Sequence, residues 1–211
     1  MALTALAGFA TFARAMPPDV EQRLILASAS PRRLDLLRQI GITPTLIVAA
    51  ELDESPLPGE MPAALAARQA RRKAEVVAAQ HPGAFVLAGD TVVACGRRIL
   101  PKAENSEQMR VCLTLLSGRR HRVLGGVCVI APDGRIATRL VTTQLRFRRL
   151  DAAEREAYLV GGEGLGKAGG YAIQGRAAVF VQSLNGSYSN VVGLPLQETE
   201  LLLRGLGYAT F

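Results

Sequence analysis

Residues 24–33 read LILASASPRR and join a short apolar run to a Ser-Pro corner. The apolar run predicts a buried strand over residues 23–27. The proline fits the first position of a helix over residues 31–40, and Ser28 and Ser30 offer hydroxyl groups that can cap it. A strand that leads directly into a helix brings polar side chains and free helix N–H groups to the end of a sheet. This corner is therefore the first candidate for a ligand site.

Four polar residues share the corner: Ser28, Ser30, Arg32 and Arg33. A triphosphate can be bound by this combination of two hydroxyls, two guanidinium groups and the free N–H groups at the start of a helix. The alternative is a serine cap followed by two surface arginines, which is a common start of a helix. The choice depends on residues elsewhere in the chain.

The rest of the chain alternates strand-like and helix-like segments. Residues 123–130 and 136–147 flank the turn signal Pro132-Asp133-Gly134 and predict a β-hairpin. Helices mixed with strands and a hairpin predict an α/β or α+β protein with a mixed sheet. The other predicted elements are strands at residues 43–49, 85–88 and 92–95 and helices at residues 63–80, 104–116, 151–160 and 195–204.

Gly89-Asp90-Thr91 follows the apolar run at residues 85–88, so Asp90 is expected at the end of a strand. A carboxylate in that position can hold Mg²⁺ or deprotonate an attacking water. The alternative is an ordinary Asp-Thr turn. Lys73 and Lys102 have no pattern of their own and are equally compatible with solvated surface lysines.

Composition limits the classes of partner. The formal net charge of +7 favours a polyanion, which could be nucleic acid, an anionic membrane surface or a small phosphorylated ligand. Aromatic residues make up only 5% of the chain and Trp is absent, which favours a compact phosphate site over base stacking. Cys95, Cys112 and Cys128 form no disulfide or zinc pattern and are expected in the core of a protein from a reducing cytosol. No apolar run reaches the ~20 residues of a membrane helix.

Two nucleotide-like patterns lie close together in the glycine-rich stretch. Residues 164–169 match the dinucleotide fingerprint GxGxxG, and residues 161–168 come within one residue of a Walker A loop. A helix-like segment precedes both where a strand is required, and Ala168 lacks the hydroxyl that a P-loop places on Mg²⁺. We therefore set both patterns aside.

Several spaced blocks together resemble the Maf family of nucleotide pyrophosphatases. These blocks, which extend over most of residues 24–203, are LILASASPRR, ARRKAE, VLAGDTVV, LPK, LSGRRHRV, KAGGYAIQG and NGSYSNVVGLPL. The resemblance implies an enzyme that cuts a nucleoside triphosphate between its α and β phosphates, with a divalent metal cofactor, Mg²⁺ or Mn²⁺. It also implies a long central mixed sheet, with helices forming two lobes around a nucleotide-binding cleft, in a Maf/ITPase-like fold that commonly forms homodimers.

The resemblance also assigns roles by position. Asp90 matches the catalytic acidic residue that activates water and helps to bind metal, and Asp53-Glu54 matches an acidic pair near the metal. A Gln at position 174 offers a donor and an acceptor to a pyrimidine edge, which agrees with the subgroup that prefers dTTP and UTP. The implied phosphate-binding residues are Ser28, Ser30, Arg33, Lys73 and Lys102, and the implied specificity residues are Arg32, Thr91 and Gln174.

The chain departs from the family pattern beside one of these lysines. Pro101-Lys102-Ala103 stands where Gly-Lys-Pro is usual, and Pro101 fixes φ next to a phosphate-binding residue. Two other functions remain open: a nucleic-acid-binding module, and a nucleotide-binding regulator of cell division and septum formation without significant turnover.

The predicted organisation is a single Maf-like catalytic domain over residues 23–211. Residues 1–22 are expected to be a poorly ordered extension or a mis-annotated start, with Met16 as the alternative first residue. We expect a soluble cytoplasmic protein that binds a nucleoside triphosphate and forms no stable complex with nucleic acid or membrane.

Overall fold

The computed structural model describes residues 22–210, which form a seven-stranded sheet flanked by helices. The mixture of elements confirms the predicted mixed α/β class. The strands are β1 (Leu24–Leu26), β2 (Leu46–Ile47), β3 (Phe85–Cys95), β4 (Arg98–Leu100), β5 (Arg120–Ile130), β6 (Ile136–Phe147) and β7 (Val181–Asn185). The helices are α1 (Pro31–Gln39), α2 (Pro62–Gln80), α3 (Ser106–Leu116), α4 (Ala152–Gly161), α5 (Tyr188–Val192) and α6 (Leu196–Gly205), with a short 3₁₀ helix at Arg176–Phe180.

The sheet is mixed, as predicted. Its order is β2-β1-β3-β5-β6-β7. The first strand runs parallel to β2 and β3, whereas the pairs β3–β5, β5–β6 and β6–β7 are antiparallel. The predicted hairpin is confirmed, and β5 and β6 pair from Ile130–Ile136 to Arg120–Arg146. The mixture follows from the connections, because the helices α1 and α2 allow parallel crossovers and the tight turn at Gly134 allows only an antiparallel pair.

One edge of β3 is interrupted. The first strand pairs with residues 85–87 of β3, and β4 pairs with residues 93–95. The opposite edge of β3 pairs continuously with β5 from Val86 to Ala94. Residues 88–92 therefore face an opening in the sheet, which we call the β1–β4 gap. This gap positions the site described below.

The core forms on both faces of the sheet because successive residues of β3 point to opposite faces. Val86 and Ala88 pack under Ala70 and Ala74 of α2. Phe85 and Leu87 lie on the other face, where the residues around them come from α1 and α6 and include Leu36, Leu37, Leu202 and Leu203. A further cluster beyond the β1–β4 gap joins α3, α4, Phe147 and Tyr171. Helices therefore gather on both sides of the gap.

Several sequence predictions were wrong in detail. Asp90 does not end a strand, because β3 continues past it while paired with β5, and Asp90 lies opposite Gly126. The strand expected at residues 43–49 is reduced to two residues, since its partner β1 is itself only three residues long. Ser30 is the N-cap residue of α1, but its side chain makes no capping bond. The helix α6, expected at residues 195–204, begins and ends one residue later, at Leu196 and Gly205.

Other predictions of local structure hold. Asp151 and Glu154 form a complete capping box at the start of α4. Cys112 and Cys128 are buried and free, whereas Cys95 is only partly buried. None of the helices within residues 22–210 is long and apolar enough to cross a membrane. Residues 1–21 of the predicted extension lie outside the described residues.

Candidate active site

A cavity of about 340 Å³ opens at the β1–β4 gap. Its size lies in the range of small-molecule sites. The cavity brings together segments that are up to 166 residues apart in the chain, from Ala27 to Gly193. Except for Asp53, the predicted site residues line it: Ser28, Ser30, Arg32, Arg33, Glu54, Lys73, Asp90, Thr91, Lys102 and Gln174.

Consecutive residues of β3 supply the two sides of the site. Asp90 points to the face covered by α2, where its Oδ1 lies 2.7 Å from Lys73 Nζ. Thr91 points to the opposite face, where its hydroxyl accepts a hydrogen bond from Arg33 Nη2 at 3.2 Å. Because the sheet is interrupted at the β1–β4 gap, a carboxylate on one face of β3 and a guanidinium on the other can line one cavity.

Close packing on α2 requires a glycine opposite Asp90. A Cβ atom at Gly126 would lie 2.1 Å from the Ala66 carbonyl oxygen, so only glycine allows α2 to approach β5 this closely. The approach brings Lys73, about two turns beyond Ala66 on the same helix, to within hydrogen-bonding distance of Asp90. The glycine therefore contributes to the position of a charged pair that it does not touch.

A chain of alternating charges crosses the cavity floor. Asp90 bonds to Lys73, whose Nζ lies 2.7 Å from Glu54 Oε1, and the other oxygen of Glu54 bonds to Lys102. The side chains of Asp90 and Lys73 are each only 7% exposed, so solvent screens this pair weakly. Burial alone would raise the pKa of Glu54, but hydrogen bonds from Lys102 and Lys73 outweigh it and lower the pKa to about 2. Glu54 is therefore a carboxylate at neutral pH.

Side chains of α2 fasten the loop that carries Glu54. Gln69, which is buried, donates from Nε2 to the Asp53 carbonyl oxygen at 3.3 Å. Arg68 bonds to both carboxylate oxygens of Glu60 and to the Ser55 carbonyl. The side chain of Asp53 instead accepts from the Ser55 N–H and does not line the cavity. Of the predicted acidic pair, only Glu54 belongs to the site.

Arg33 is buried and fixed by protein groups. Its guanidinium donates to the Gly193 carbonyl, the Ser28 hydroxyl and the Thr91 hydroxyl, at 2.9, 2.8 and 3.2 Å. Burial is the largest effect on its pKa and lowers it, although the negative charge of Asp90 acts in the opposite direction. Arg32 is half-buried and donates from Nε to the Val192 carbonyl at 3.2 Å. Both arginines are thus oriented by the backbone at the end of α5.

Asn190 anchors that backbone, and the sequence analysis assigned it no role. Its Nδ2 lies 3.2 Å from the Val123 carbonyl and 3.0 Å from the Thr143 hydroxyl, and it is fully buried. A side chain at Gly125 would overlap the Asn190 amide, since its Cβ would lie 1.9 Å from Oδ1. Asn190 therefore holds α5 against the sheet. The block NGSYSNVVGLPL carried this signal, but no residue in it was singled out.

The opposite wall comes from residues 166–174, which include Gln174. Rejection of the two glycine-rich nucleotide patterns agrees with the local structure, because the stretch follows the end of α4 and not a strand. The same stretch nevertheless supplies Lys167 and Ala168 to the cavity. Lys167 was missed because it belongs to a rejected pattern, although the block KAGGYAIQG included it.

The carboxylates provide a partial set of metal ligands. Asp90 and Glu54 both contact Lys73 Nζ at 2.7 Å, so their oxygens lie close together at the cavity floor. Among the described residues, no group of three or more His, Cys, Asp or Glu could hold a metal on its own. Mg²⁺ is commonly held by one or two carboxylates together with substrate phosphates, and this pair fits that pattern.

The fold and the cavity define a mixed α/β protein in which five basic and two acidic side chains meet at an opening in the sheet edge. The family model described as Maf-like protein matches residues 23–206 of this chain. The chain therefore belongs to the Maf family, as predicted.

Curated relatives agree with this assignment. The chain is 65% identical over 186 residues to the dTTP/UTP pyrophosphatase of Paramagnetospirillum magneticum, an alignment that covers 88% of this chain and 98% of that protein. It is 61% identical to the dTTP/UTP pyrophosphatase of Caulobacter vibrioides, with coverage of 88% and 96%. Among solved structures, the dITP/XTP pyrophosphatase of Mycobacterium abscessus aligns with a TM-score of 0.43 and 18% identity over 87% of this chain and 94% of that one.

Proposed function

We propose that this chain hydrolyses dTTP and UTP to the monophosphate and pyrophosphate, with CTP and modified pyrimidine triphosphates as further substrates. One observation carries the proposal: a buried Asp90–Lys73 pair shares a cavity with Arg33, Glu54 and Lys102. Binding of a triphosphate requires several positively charged groups, and its hydrolysis requires a carboxylate that can accept a proton from the attacking water. The names of the relatives support the reaction and its pyrimidine substrates. The reaction removes unwanted nucleotides from the cellular pool.

Asp90 is the group that we assign to the attacking water. Its carboxylate aligns the water and accepts a proton as the oxygen attacks the α-phosphorus and the bond to the β-phosphate breaks. Lys73 holds the carboxylate in place through its 2.7 Å contact. Arg33 and Lys102 offset the charge that builds on the phosphoryl oxygens and on pyrophosphate as it leaves. The products are a nucleoside monophosphate and pyrophosphate.

We assign a divalent cation to Asp90 and Glu54, together with oxygens of the triphosphate. When bound, Mg²⁺ or Mn²⁺ would supply positive charge to the phosphates and a fixed orientation for the reacting groups. Lys73 contacts both carboxylates and Lys102 contacts Glu54, and these contacts keep Glu54 ionised at neutral pH. The protein alone offers two carboxylates, so we expect metal binding to strengthen when the triphosphate is present.

Base preference is assigned to Arg32, Thr91 and Gln174. All three line the cavity, and the Thr91 hydroxyl is fixed by Arg33. A glutamine amide can donate to a pyrimidine carbonyl and accept from the ring N–H, whereas a glutamate can only accept. We therefore expect Gln174→Glu to reduce kcat/KM for dTTP and UTP more than for GTP-type substrates.

The main experiment measures pyrophosphate release from dTTP, UTP, CTP, GTP and 7-methyl-GTP with Mg²⁺, Mn²⁺ or EDTA. We expect dTTP and UTP to be the best substrates and EDTA to abolish turnover. Asp90→Asn should lower turnover by about 10²- to 10⁴-fold, the range for loss of a general base. Asp35→Asn is the matched control, because Asp35 is an exposed residue of α1 outside the cavity.

The outcomes separate the alternatives. Near-normal turnover of Asp90→Asn would remove Asp90 from its role, and preference for GTP-type substrates would overturn the assignment of Gln174. Nucleotide binding without any pyrophosphate release would instead support the regulator of cell division, a role that no feature of residues 22–210 favours. Homodimer formation and cytoplasmic location stay predictions, which sedimentation and cell fractionation can test.

A further inference from the structure

The distribution of lysine in this chain is uneven. Of its 25 basic residues, only Lys73, Lys102 and Lys167 are lysines, and the rest are arginines. Five basic residues line the cavity, and they include all three lysines. Lysine presents a compact point charge, and arginine at the same position would present a broad planar fork. Outside the cavity, every Lys or Arg position in the chain is arginine, so the ammonium group of lysine is confined to the cavity.

Lys73 and Lys102 are compensated by carboxylates, but Lys167 is not. The first two bond to Asp90 and Glu54 on the cavity floor. Within the described residues, no carboxylate lies within 4.0 Å of Lys167 Nζ, whose contact is the Leu165 carbonyl oxygen at 3.4 Å. The negative charge of Glu163 raises the pKa of Lys167, but the Glu163 carboxylate already accepts a hydrogen bond from the Arg176 backbone N–H. The charge of Lys167 is therefore available to a ligand.

The neighbouring charge makes an anion more favourable still. Burial lowers the pKa of Lys167, and the positive charge of Arg32 lowers it further. Arg32 itself is half-buried, and its pKa is also lowered by burial. Both side chains line the cavity, so an anion bound near both would offset the repulsion between their like charges. A carbonyl group of the base could accept a hydrogen bond from Lys167 or Arg32. Only an anionic group would also offset the repulsion between their positive charges.

The backbone fixes Lys167 beside a residue of the predicted phosphate-binding set. Lys102 forms a bridge with Ala168, and the Ala103 N–H donates to the Lys167 carbonyl at 3.1 Å. The Gly169 N–H donates to the Pro101 carbonyl at 3.0 Å. A Cβ atom at Gly169 would lie 2.8 Å from Val93, and its φ of +73° favours glycine, so the loop packs tightly on β3. Lys102 and Lys167 are therefore held on adjacent segments.

We propose that Lys167 binds the phosphates of the substrate that leave as pyrophosphate. The proposal rests on the proposed function and extends it by a residue that lines the same cavity from the segment next to Lys102. Lys73 and Lys102 are partly neutralised by their own carboxylates, so Lys167 offers a polyphosphate a charge that these two lysines offer only in part. Lys167 is a substrate-binding residue in this scheme and takes no part in proton transfer.

The first test compares Lys167→Met with Lys167→Arg by calorimetric titration with inorganic pyrophosphate and, separately, with thymidine. Loss of a charge-assisted hydrogen bond corresponds to about 10- to 100-fold weaker binding. We expect Lys167→Met to weaken pyrophosphate binding by that factor and leave thymidine binding unchanged, with KM for dTTP raised more than kcat is lowered. Lys167→Arg should recover part of the affinity, because it retains the charge.

A second test uses the unaltered protein and does not depend on a variant that folds. The chain has three lysines, so reductive methylation followed by mass spectrometry can follow each one separately. We expect saturating pyrophosphate to slow methylation of Lys167, whereas thymidine should not. Methylation of Lys167 at an unchanged rate in the presence of pyrophosphate would overturn the proposal.

The outcomes distinguish this proposal from the proposed function. If the unaltered protein releases pyrophosphate from dTTP but Lys167→Met binds pyrophosphate normally, only the assignment of Lys167 fails. If the variant loses affinity for thymidine and retains affinity for pyrophosphate, Lys167 contacts the nucleoside and the phosphate assignment is wrong. If the unaltered protein neither binds pyrophosphate nor cleaves dTTP, both proposals fail together.

Discussion

Acidification should destabilise this protein through a single buried histidine. His121 lies on β5 with 2% of its surface exposed, packed edge-to-face against Phe147 and Tyr171. Its Nε2 is 3.0 Å from the Tyr171 hydroxyl, and its Nδ1 is buried without a partner among the described residues. Burial lowers the pKa of His121 from 6.5 to about 4. The folded protein therefore holds this ring neutral at pH values where an unfolded chain would protonate it.

The sign and size of the effect follow from linkage. Between pH 6.5 and about 4 the unfolded chain binds a proton at His121 that the folded protein does not. The free energy of unfolding therefore rises with pH in this window and falls as the solution is acidified. The span corresponds to about 3 kcal/mol at roughly 1.4 kcal/mol per pH unit. That is a large share of the ~5–15 kcal/mol by which domains are stable.

Urea unfolding at pH 7, 6, 5 and 4.5 measures this dependence. His121→Gln removes the titrating group, so its stability should change much less over the same range, even if it starts lower. His81→Gln is the control, because His81 is the other histidine of the chain and lies at the end of α2. Parallel losses in the unaltered protein and in His121→Gln would refute the reasoning. His121 contacts Tyr171, which lines the cavity, so we also expect the affinity for nucleotide to fall as acidification lowers the stability.

Three further substitutions test the contacts that position the site. Gly126→Ala should lower stability by about 1–3 kcal/mol in thermal unfolding, because its Cβ would meet the Ala66 carbonyl oxygen at 2.1 Å. Asn190→Ala should cost about 1–3 kcal/mol in the same assay, because it removes buried hydrogen bonds from the Asn190 amide to the Val123 carbonyl and the Thr143 hydroxyl. Glu54→Gln should raise the Mg²⁺ concentration for half-maximal pyrophosphate release by at least about tenfold, with turnover at neutral pH reduced.

Matched variants keep these tests specific. Gly205→Ala is the control for Gly126→Ala, since a Cβ there meets nothing within 4 Å and the change should be neutral or slightly stabilising. Asp53→Asn is the control for Glu54→Gln, because the Asp53 side chain bonds locally to Ser55. Unfolding temperatures that fall equally for Gly126→Ala and Gly205→Ala would contradict the packing argument. Equal metal dependence of the two acidic variants would contradict the role of Glu54.

The sequence predicted those helices and strands that are determined by residues close together in the chain. The hairpin of β5 and β6 follows from alternating side chains around a Pro-Asp-Gly turn, and the start of α4 follows from Asp151 and Glu154. Both signals act over a few residues, so sequence alone suffices. The ten site residues were grouped by the family resemblance, and the cavity that they line agrees with that grouping.

Features that depend on distant partners could not be predicted. Whether β3 continues through Asp90 depends on β5, about 35 residues later, which pairs with it without a break. Asn190 has no sequence pattern that separates it from a surface residue, and its burial arises only when α5 meets the sheet. Lys167 was passed over because its glycine-rich context lacks a preceding strand. That reasoning correctly rejects a P-loop, but it does not address a lysine that reaches the cavity from a different kind of loop.

The β1–β4 gap also bears on solubility. A free strand edge exposes N–H and C=O groups and can recruit a strand from another molecule, which leads to aggregation. Here the free edge comprises only residues 88–92 and is bounded by paired strands at both ends. A foreign strand of ordinary length would collide with β1 or β4, whereas a compact ligand can enter. The gap thus exposes backbone groups to a small molecule without itself offering a template for intermolecular sheets.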